Sequence, residues 1–480
     1  MKRIDLPLND VHSGLNETQP LEVLAPSTVE HLSSALERAA EEALPVIPFG
    51  GRHAMGGQQF LSKGLCLDLT GLRRLLAFDR DRGLLRFEAG AMWPEVVQAT
   101  QDSPWAIRQK QTGADDLTLG GSLSANIHGR GLTLAPFISD VETFTLLDAT
   151  GRTVRCSRTE NSQLFSLAAG GYGLFGPVVD ITLRLTRRQT LRRHVRVIGA
   201  EELLPAFQAA IHGGASYGDW QFAVDPARPD FLRRGVFSCY EPVAESAAPE
   251  PGDPLDRETW RRLLRLACTQ PTEAFEQYAS QYLRTDGRSY ASDLVQMSTY
   301  LPDYAAEVQA AMGSARPATL MITELYVPRE RLPDFLEAVA GYLRARGERV
   351  IYGTVRLIER DTESFLPWAR EAWACVVMNL LVIHEPQRLA RLADSFRGLI
   401  DLALERGGSF YLTYHRHATR DQLLAAYPQM PGFLDHKRAF DPGNRFQSDW
   451  YVCLQEKLGG HRNDLNRSFV GHVSTAAAAR

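Results

Sequence analysis

Two glycine-rich stretches constrain this chain more than any other feature. Residues 48–60 read PFGGRHAMGGQQF and residues 118–131 read TLGGSLSANIHGRG. Each follows a short apolar run, mixes glycines with small polar residues, and holds one histidine, His53 or His128. Gly50, Gly51, Gly56 and Gly57 can take positive φ and leave no Cβ in the way, so backbone N–H groups can converge on an anion. Gly120, Gly121, Gly129 and Gly131 repeat the arrangement, and Ser122, Ser124 and Asn126 add side-chain donors. One such loop alone reads more readily as an ordinary tight turn. Two of them between strand-like segments point to a backbone wrapped around a large phosphate-bearing cofactor.

The flanking pattern supports this. LEVLAP predicts a strand, and Ser27 with Glu30 three residues on forms a capping box that opens a helix through HLSSALERAAEEAL. PVIPF is the next strand and feeds the first glycine loop. GLCLDLT is a further strand, LLAFDRDRGLLRFEAG a hairpin turning at Arg82 and Gly83, and MWPEVVQATQ a short helix. After the second stretch, VETFTLLDATGRTVRCS reads as strand-turn-strand around Thr150 and Gly151. NSQLFSLAAG reads as a helix capped by Asn161 or Ser162. Gly171, Gly173 and Gly176 spell GxGxxG, but Pro177 and the alternating VVDITLRL follow at once. A dinucleotide fingerprint must open a helix, so that reading is rejected.

From residue 191 to 408 longer helical runs (EELLPAFQAAI, TWRRLLRLACTQ, RLPDFLEAVAGYLRARG, PQRLARLADSFRGLIDLALERGG) alternate with strand-like ones (YGDWQFAVD, PATLMITELYVP, ERVIYGTVRLIER, AWACVVMNLLVI). This suits one sheet covered by helices. Residues 241–257, rich in proline and acid, read as a solvated loop, and the tail from about Leu458 as loosely ordered.

Composition sets the outer limits. The chain has 480 residues, 44% hydrophobic and 23% charged, enough for two or three units at ~150 residues each. A net charge of −4 gives no general attraction to nucleic acid. No apolar run reaches the ~20 residues of a membrane helix. The first residues, MKRIDLPLNDVHSG, lack the apolar core of a secretion signal. The six cysteines show no CxxC and no zinc spacing. They read as reduced thiols in a reducing compartment, most simply the cytoplasm.

These marks together (GGRHAMGGQ, LDLTGL, FEAGAMW, TLGGSLSANIHGRG, GYGLFGPVVDITLRL, and YPQMPGFLDHKRAFDPGNRFQSDW near the end) resemble the FAD-binding vanillyl-alcohol-oxidase superfamily, also described as the p-cresol-methylhydroxylase type. The C-terminal run is similar to the branch of alditol oxidases, aldonolactone oxidases and decaprenylphosphoryl-ribose oxidases. The resemblance implies an α+β fold: an FAD-binding domain over 1–190, in two subdomains of about 15–75 and 76–190. A substrate domain over 191–408 would follow, with a mainly antiparallel sheet covered by helices, then a segment over 409–457 returning to the FAD domain and a tail over 458–480. It implies FAD held by Phe49, Gly50, Gly51, Arg52, His53, Ala54, Met55, Gly56 and Gln58 of the first loop. Thr112, Thr118, Gly120, Gly121, Ser122, Ser124, Ala125, Asn126, His128 and Gly129 would join from the second region, and Gly176, Val178 and Val179 at the adenine end. His53 occupies the position often bonded to the flavin 8α-methyl, with Ala54 where the family commonly has serine. Asp140 receives no clear role.

The implied reaction is hydride transfer from the CH–OH group of a polyol, sugar or lactone-like substrate to flavin N5, with oxygen or another electron acceptor following. It needs a base for the hydroxyl proton and a cation near flavin N1/O2. By the resemblance Arg356 matches a basic strand position, and Tyr411 with Tyr414 to His417 falls where several members place a lysine. The base stays open among Tyr414, His415 and His417, with Glu324 as an alternative. Arg356 reads equally as a structural partner of Glu324 or Glu359. His415 and His417 share a strand face but lack a third ligand nearby, so no metal is expected. A flavin-dependent C=C reductase and a non-catalytic FAD-binding scaffold are the rival readings.

Overall fold

A helix and three short strands frame the first glycine loop. In the computed structural model, which describes residues 7–243, 255–299 and 301–459, the strands Glu22–Leu24, Val46–Phe49 and Leu65–Asp68 form a parallel sheet with Leu65–Asp68 in the middle. The helix Val29–Glu41 buries Leu32, Ala35, Leu36 and Ala39, a stripe at helical spacing, against Leu24, Val46, Leu65 and Leu67. Its cap is Thr28, whose side-chain oxygen accepts from the His31 amide at 3.2 Å, rather than the expected Ser27. Thr28 has the extended backbone that an N-cap requires, and Ser27 lies one residue too early, with its hydroxyl 3.3 Å from the His31 ring. Phe446, near the end of the chain, bridges to Val46 on this sheet.

The hairpin forms as expected, from Leu75–Asp79 and Leu84–Glu88, with Gly83 at φ +67° in the turn. It joins Val178–Arg184, Val141–Leu147 and Thr153–Ser157 in a five-stranded antiparallel sheet. The helix Ser162–Ala168 begins after Asn161, as its sequence indicates. GxGxxG enters the strand Val178–Arg184 and no helix. Gly176, at φ +124°, is there because a Cβ would stand 2.1 Å from the Leu147 carbonyl oxygen.

The third sheet has eight strands, all paired antiparallel. Four are the expected runs, as Tyr217–Phe222, Val350–Ile358, Trp373–Ile383 and Ala318–Pro328. Thr190–Gly199 and Arg234–Val243 join them unforeseen, with short strands Ser289–Ala291 and Ser409–Phe410 at the two edges. Helices Ala200–His212, Leu332–Arg346 and Pro386–Leu404 pack on the sheet, as do Arg257–Thr269, Pro271–Leu283 and Tyr304–Ala311. The expected 241–257 loop is shorter at both ends: Glu241 to Val243 complete a strand and Arg257 starts a helix. Its centre, 244–254, lies outside the described residues. Leu458 closes the helix Asp449–Leu458, so the expected loose tail lies outside the described residues beyond Gly459.

Candidate active site

A cavity of about 670 Å³ runs between the glycine-rich stretches and one face of the eight-stranded sheet. That volume falls in the ~300–1,000 Å³ range of small-molecule and cofactor sites. Phe49, Gly50, Gly51, Arg52, His53, Ala54 and Gln58 line it from the first loop. Thr112, Thr118, Gly120, Gly121, Ser124 and Ala125 line it from the second region, with Gly176 and Val178 from the entry to the five-stranded sheet.

The first loop is held open by its neighbours. The Asn16 side chain donates to the Met55 carbonyl at 2.7 Å, Gln59 to that of Ala54 at 2.6 Å, and Gln58 to that of Leu412 at 2.6 Å. Positive φ is used sparingly: Gly57 takes it, but Gly50, Gly51 and Gly56 do not, and Arg52 does at +60°. Gly50 and Gly51 serve close approach instead, since a Cβ would stand 2.1 Å from the Thr118 hydroxyl and 2.5 Å from the Asp116 carbonyl. Among the described residues, the amides of Gly51, Arg52 and Ala54 donate to no other group of the chain. They are available to a bound anion.

The second stretch departs from the expectation of a loop. It is the helix Leu119–Ala125, capped by Thr118, whose hydroxyl accepts from the Gly121 amide at 3.1 Å. The Leu119 and Gly120 amides go to Ala91 and Ala89 carbonyls, so this stretch presents a surface and not an amide nest. Several predicted cofactor residues do not line the cavity. Met55 is core, and the Gly56 amide is taken by the Gln58 side chain. Ser122 accepts from Trp93, and Val179 packs in the core of the parallel sheet. Asn126, at φ +49°, ends the helix and donates to Asp361 at 2.9 Å. Gly129 keeps room for the Lys110 carbonyl, 2.8 Å from where a Cβ would sit. Asp140 pairs with Arg108 at 2.9 Å, and burial lifts its pKa to about 6.

His53 sits between two groups that sequence gave no reason to join to it. Its Nε2 is 3.1 Å from Asp116 and its Nδ1 is 2.9 Å from His12 Nε2. His53 beside it holds Asp116 below the usual carboxylate range, so Asp116 is ionised. Burial, aided by the charge of His53, lowers the His12 pKa to about 4. A neutral His12 can then enter the 2.9 Å contact with His53 Nδ1 as donor or as acceptor.

Register builds the opposite wall. Gln221, Thr354, Val377 and Glu324 lie in one row across four strands, and Arg356, Cys375 and Tyr326 two rows on, the next row that faces the same way. Because alternate residues share a face, Tyr352 and Arg356 point the same way, and both line the cavity. Arg356 is 5% exposed. It makes no ion pair among the described residues, and its Nε and Nη1 have no hydrogen-bond partner there. Neither structural pairing holds: Glu359 pairs with Arg329 at 2.7 Å, and Glu324 Oε1 accepts from His128 Nε2 at 2.5 Å, Tyr326 at 2.6 Å and Cys375 at 3.4 Å. Glu324 Oε2 has no partner among the described residues. Burial pushes the Glu324 pKa up, but His128, Tyr326 and Arg356 outweigh it, and the net direction is down. His128 Nδ1 lies 3.0 Å from the Gly129 carbonyl, so His128 and Glu324 share one further proton at Nε2.

Glu324 and His128 stand behind the cavity surface and Tyr414 stands on it. Burial and the nearby Glu324 carboxylate raise the Tyr414 pKa well above 10, so its hydroxyl stays protonated. Tyr411, on the same wall, donates to the Ala125 carbonyl at 2.7 Å. His415 and His417 are not on the cavity. They stack on Phe396, with ring centroids 4.5 and 5.6 Å away, and burial lowers both pKa values, that of His417 to about 4. His128, Glu324 and Cys375 present ligand atoms within 4.8 Å of one another. The 2.5 Å His128–Glu324 contact leaves no space for an ion between them, and burial keeps the Cys375 thiol protonated, so the cluster is a hydrogen-bonded one.

The residues that sequence missed are His12, Asp116, Arg130, Arg193, Asp219 and Tyr352. Asp219 and Gln221 carried a signal, alternating with Trp220 and Phe222 in a strand whose polar side faces the cavity. His12 and Asp116 carried none.

A sequence-family model described as an FAD binding domain matches residues 20–157. L-gulono-1,4-lactone dehydrogenase of Mycobacterium tuberculosis is 22% identical over 90% of this chain and 95% of its own length. Decaprenylphosphoryl-beta-D-ribose oxidase of Mycolicibacterium smegmatis is 25% identical over 92% and 96%. The mitochondrial L-galactono-1,4-lactone dehydrogenase of Brassica oleracea is 27% identical over 40% of this chain and 32% of its own length. The protein is an FAD-linked oxidoreductase. Residues 20–157 carry its FAD binding domain, and over most of its length the chain is similar to an aldonolactone dehydrogenase and to a decaprenylphosphoryl-ribose oxidase. The glycine cradle with its available amides and the buried Arg356 fit FAD. No helix among the described residues is long and apolar enough to cross a membrane.

Proposed function

We propose that the enzyme oxidises a CH–OH group of a sugar-, polyol- or lactone-like substrate, with residues 1–190 and the returning 409–457 segment holding FAD and 191–408 supplying the substrate wall. Bound FAD supplies the hydride acceptor at N5. Arg356 carries the reading: a guanidinium buried on the cavity wall without a carboxylate partner among the described residues is suited to negative charge that develops during reaction. Tyr414 meets the substrate hydroxyl and passes its proton toward Glu324 Oε2, an ionised oxygen that no donor occupies among the described residues. The relatives' names support an alcohol or lactone substrate at a comparable place.

His53 is the proposed point of covalent flavin attachment, with Asp116 and His12 at its two ring nitrogens. Purified protein should be yellow, and acid precipitation should leave flavin in the pellet. His53→Ala should move that flavin to the supernatant. Anaerobic bleaching with a panel of polyols, sugars and aldonolactones tests the reaction, and admission of air then separates an oxidase from a dehydrogenase. Protein that takes up no added FAD, or FAD that no alcohol or lactone bleaches, sinks the proposal.

A further inference from the structure

The sheet wall carries more positive charge than the proposed hydride transfer uses. Arg193, on the strand Thr190–Gly199, is 6% exposed. Its Nε donates to Ser238 at 2.9 Å, and its guanidinium carbon lies 4.1 Å from the Tyr282 ring centre and 5.3 Å from that of Tyr240. No carboxylate among the described residues is within ion-pair distance of it. Arg130 also lies over the Tyr240 ring, at 5.6 Å, with its Nε lacking a hydrogen-bond partner among the described residues. Among the described residues it has one ion-pair partner, Asp219, at 3.7 Å, longer than a hydrogen bond. Both arginines line the cavity.

Arg193 stands apart from a cofactor's phosphates, and Arg130, near the end of the second glycine-rich stretch, reaches the same Tyr240 ring. The available amides and Arg52 belong to the glycine wall, whereas Arg193 and the stacked tyrosines come from the eight-stranded sheet and the helix Pro271–Leu283. The same lobe is finished by Trp260, Leu263, Phe275, Tyr278 and Ile351, rings and aliphatic groups that offer little to the hydroxyls of a bare polyol. A buried guanidinium without a counter-ion is costly, and aromatic stacking leaves its N–H fork directed at a ligand.

We propose that the substrate bears an oxyanion, a carboxylate or a phosphate ester, on an aromatic or apolar body, with Arg193 and Arg130 gripping the anion and the tyrosine-lined lobe holding the body. This rests on the reading of the cavity as an alcohol-oxidising site and narrows the substrate class within it. The grip is bidentate in character, as guanidinium pairing with carboxylate or phosphate is.

Binding is best measured without turnover, on the flavin-loaded enzyme, with p-toluate, p-tolyl phosphate and the neutral isostere p-toluamide, by perturbation of the flavin spectrum and by equilibrium dialysis. At least one anion should bind ~10-fold or more tighter than the amide. The anion that does so distinguishes carboxylate from phosphate. Arg193→Gln and, separately, Arg130→Gln should erase that preference while leaving p-toluamide binding unchanged, and Arg193→Lys should keep part of it. Anions that bind no tighter than p-toluamide, or a preference that survives both Gln variants in protein that retains its flavin, overturn the proposal. If p-toluate binds tightly but p-hydroxymethylbenzoate leaves the flavin oxidised, the alcohol-oxidising reading fails at that substrate while the anion site stands.

Discussion

The two walls of the cavity are built from different materials. The glycine wall is main chain: its contribution is amides and the absence of side chains, at positions where any Cβ would collide. The sheet wall is side chain: Arg356 and Tyr352 from one strand and Asp219 from another, far apart in sequence, meet only through register. A backbone wall tolerates almost no substitution at its close approaches. A side-chain wall tolerates substitution structurally and responds chemically. The comparison therefore predicts that glycine-wall variants abolish cofactor binding, whereas sheet-wall variants keep the colour and change the reaction.

Gly50→Val tests the first half and should have the largest effect. Its side chain would start 2.1 Å from the Thr118 hydroxyl, so either the loop or the helix that Thr118 caps must move. The expected outcome is protein that holds no flavin after desalting, read from the visible absorbance. Gly341→Ala is the control, since that exposed helical glycine has nothing within 4 Å of a new Cβ. It should keep its flavin and gain about 0.5–1 kcal/mol from the lower backbone entropy of its unfolded chain. A yellow Gly50→Val enzyme would break the comparison at its root.

Arg356→Met tests the other half. Flavin content should stay near that of the unmodified enzyme, while the anaerobic rate of flavin reduction by a good substrate falls by ~10²–10³-fold, the scale of losing one preorganised charge-stabilising donor. Loss of flavin in this variant would mean that Arg356 serves cofactor binding alone.

The same contrast explains what was legible in the sequence. The glycine loop, the hairpin and the parallel strands could be read because each is governed by local rules: positive φ, close approach, alternation and caps. Even there, Thr28 rather than Ser27 caps the helix, a difference of one residue that depends on where the chain turns out of the strand. Asn126 and Ser122 looked like cofactor donors because their neighbours are glycines, yet both spend their hydrogen bonds inside the fold. Thr190–Gly199 went unread as a strand because arginine and histidine interrupt its apolar alternation, and Arg234–Val243 went unread because its last residues, Glu241 to Val243, open a proline- and acid-rich stretch. Arg193 lies on the first of them. His415 and His417 were chosen for their chemistry, but the stacking of both rings on Phe396 decides their place, and no spacing rule reports that.

Behind the sheet wall, Glu324→Gln should act mainly on stability. The change leaves His128 facing a neutral amide in a dry site, and breaking one member of a buried charge pair costs about 3–5 kcal/mol. Chemical denaturation followed by fluorescence should show this as a lower midpoint with an unchanged slope. If Tyr414 passes the substrate proton to Glu324, the surviving folded enzyme should also lose activity in step across all substrates. A variant as stable as the parent would show that the pair is already neutral in the folded protein.

The smallest effect is expected from the two histidines that stand off the cavity. Burial, with the charges of Arg397, Lys457 and Arg416, lowers the His417 pKa from 6.5 to about 4. Above pH 6.5 the ring is neutral in both folded and unfolded chains and contributes nothing to pH dependence. As pH falls from 6.5 toward 4 the unfolded chain takes up a proton that the folded one refuses, so stability is lost across that window and the loss is complete below it. His415, lowered further by burial and by His417, adds a loss of the same sign. His417→Gln removes one titrating ring, so the fall in stability between about pH 7 and about pH 5 should shrink by about 1–2 kcal/mol relative to the parent. Denaturation midpoints at the two pH values measure it, while the rate of flavin reduction at pH 7 should stay unchanged because the ring does not reach the cavity. An equal fall in both proteins would place His417 in contact with solvent. A large loss of reduction rate would return it to the sheet wall and to the chemistry.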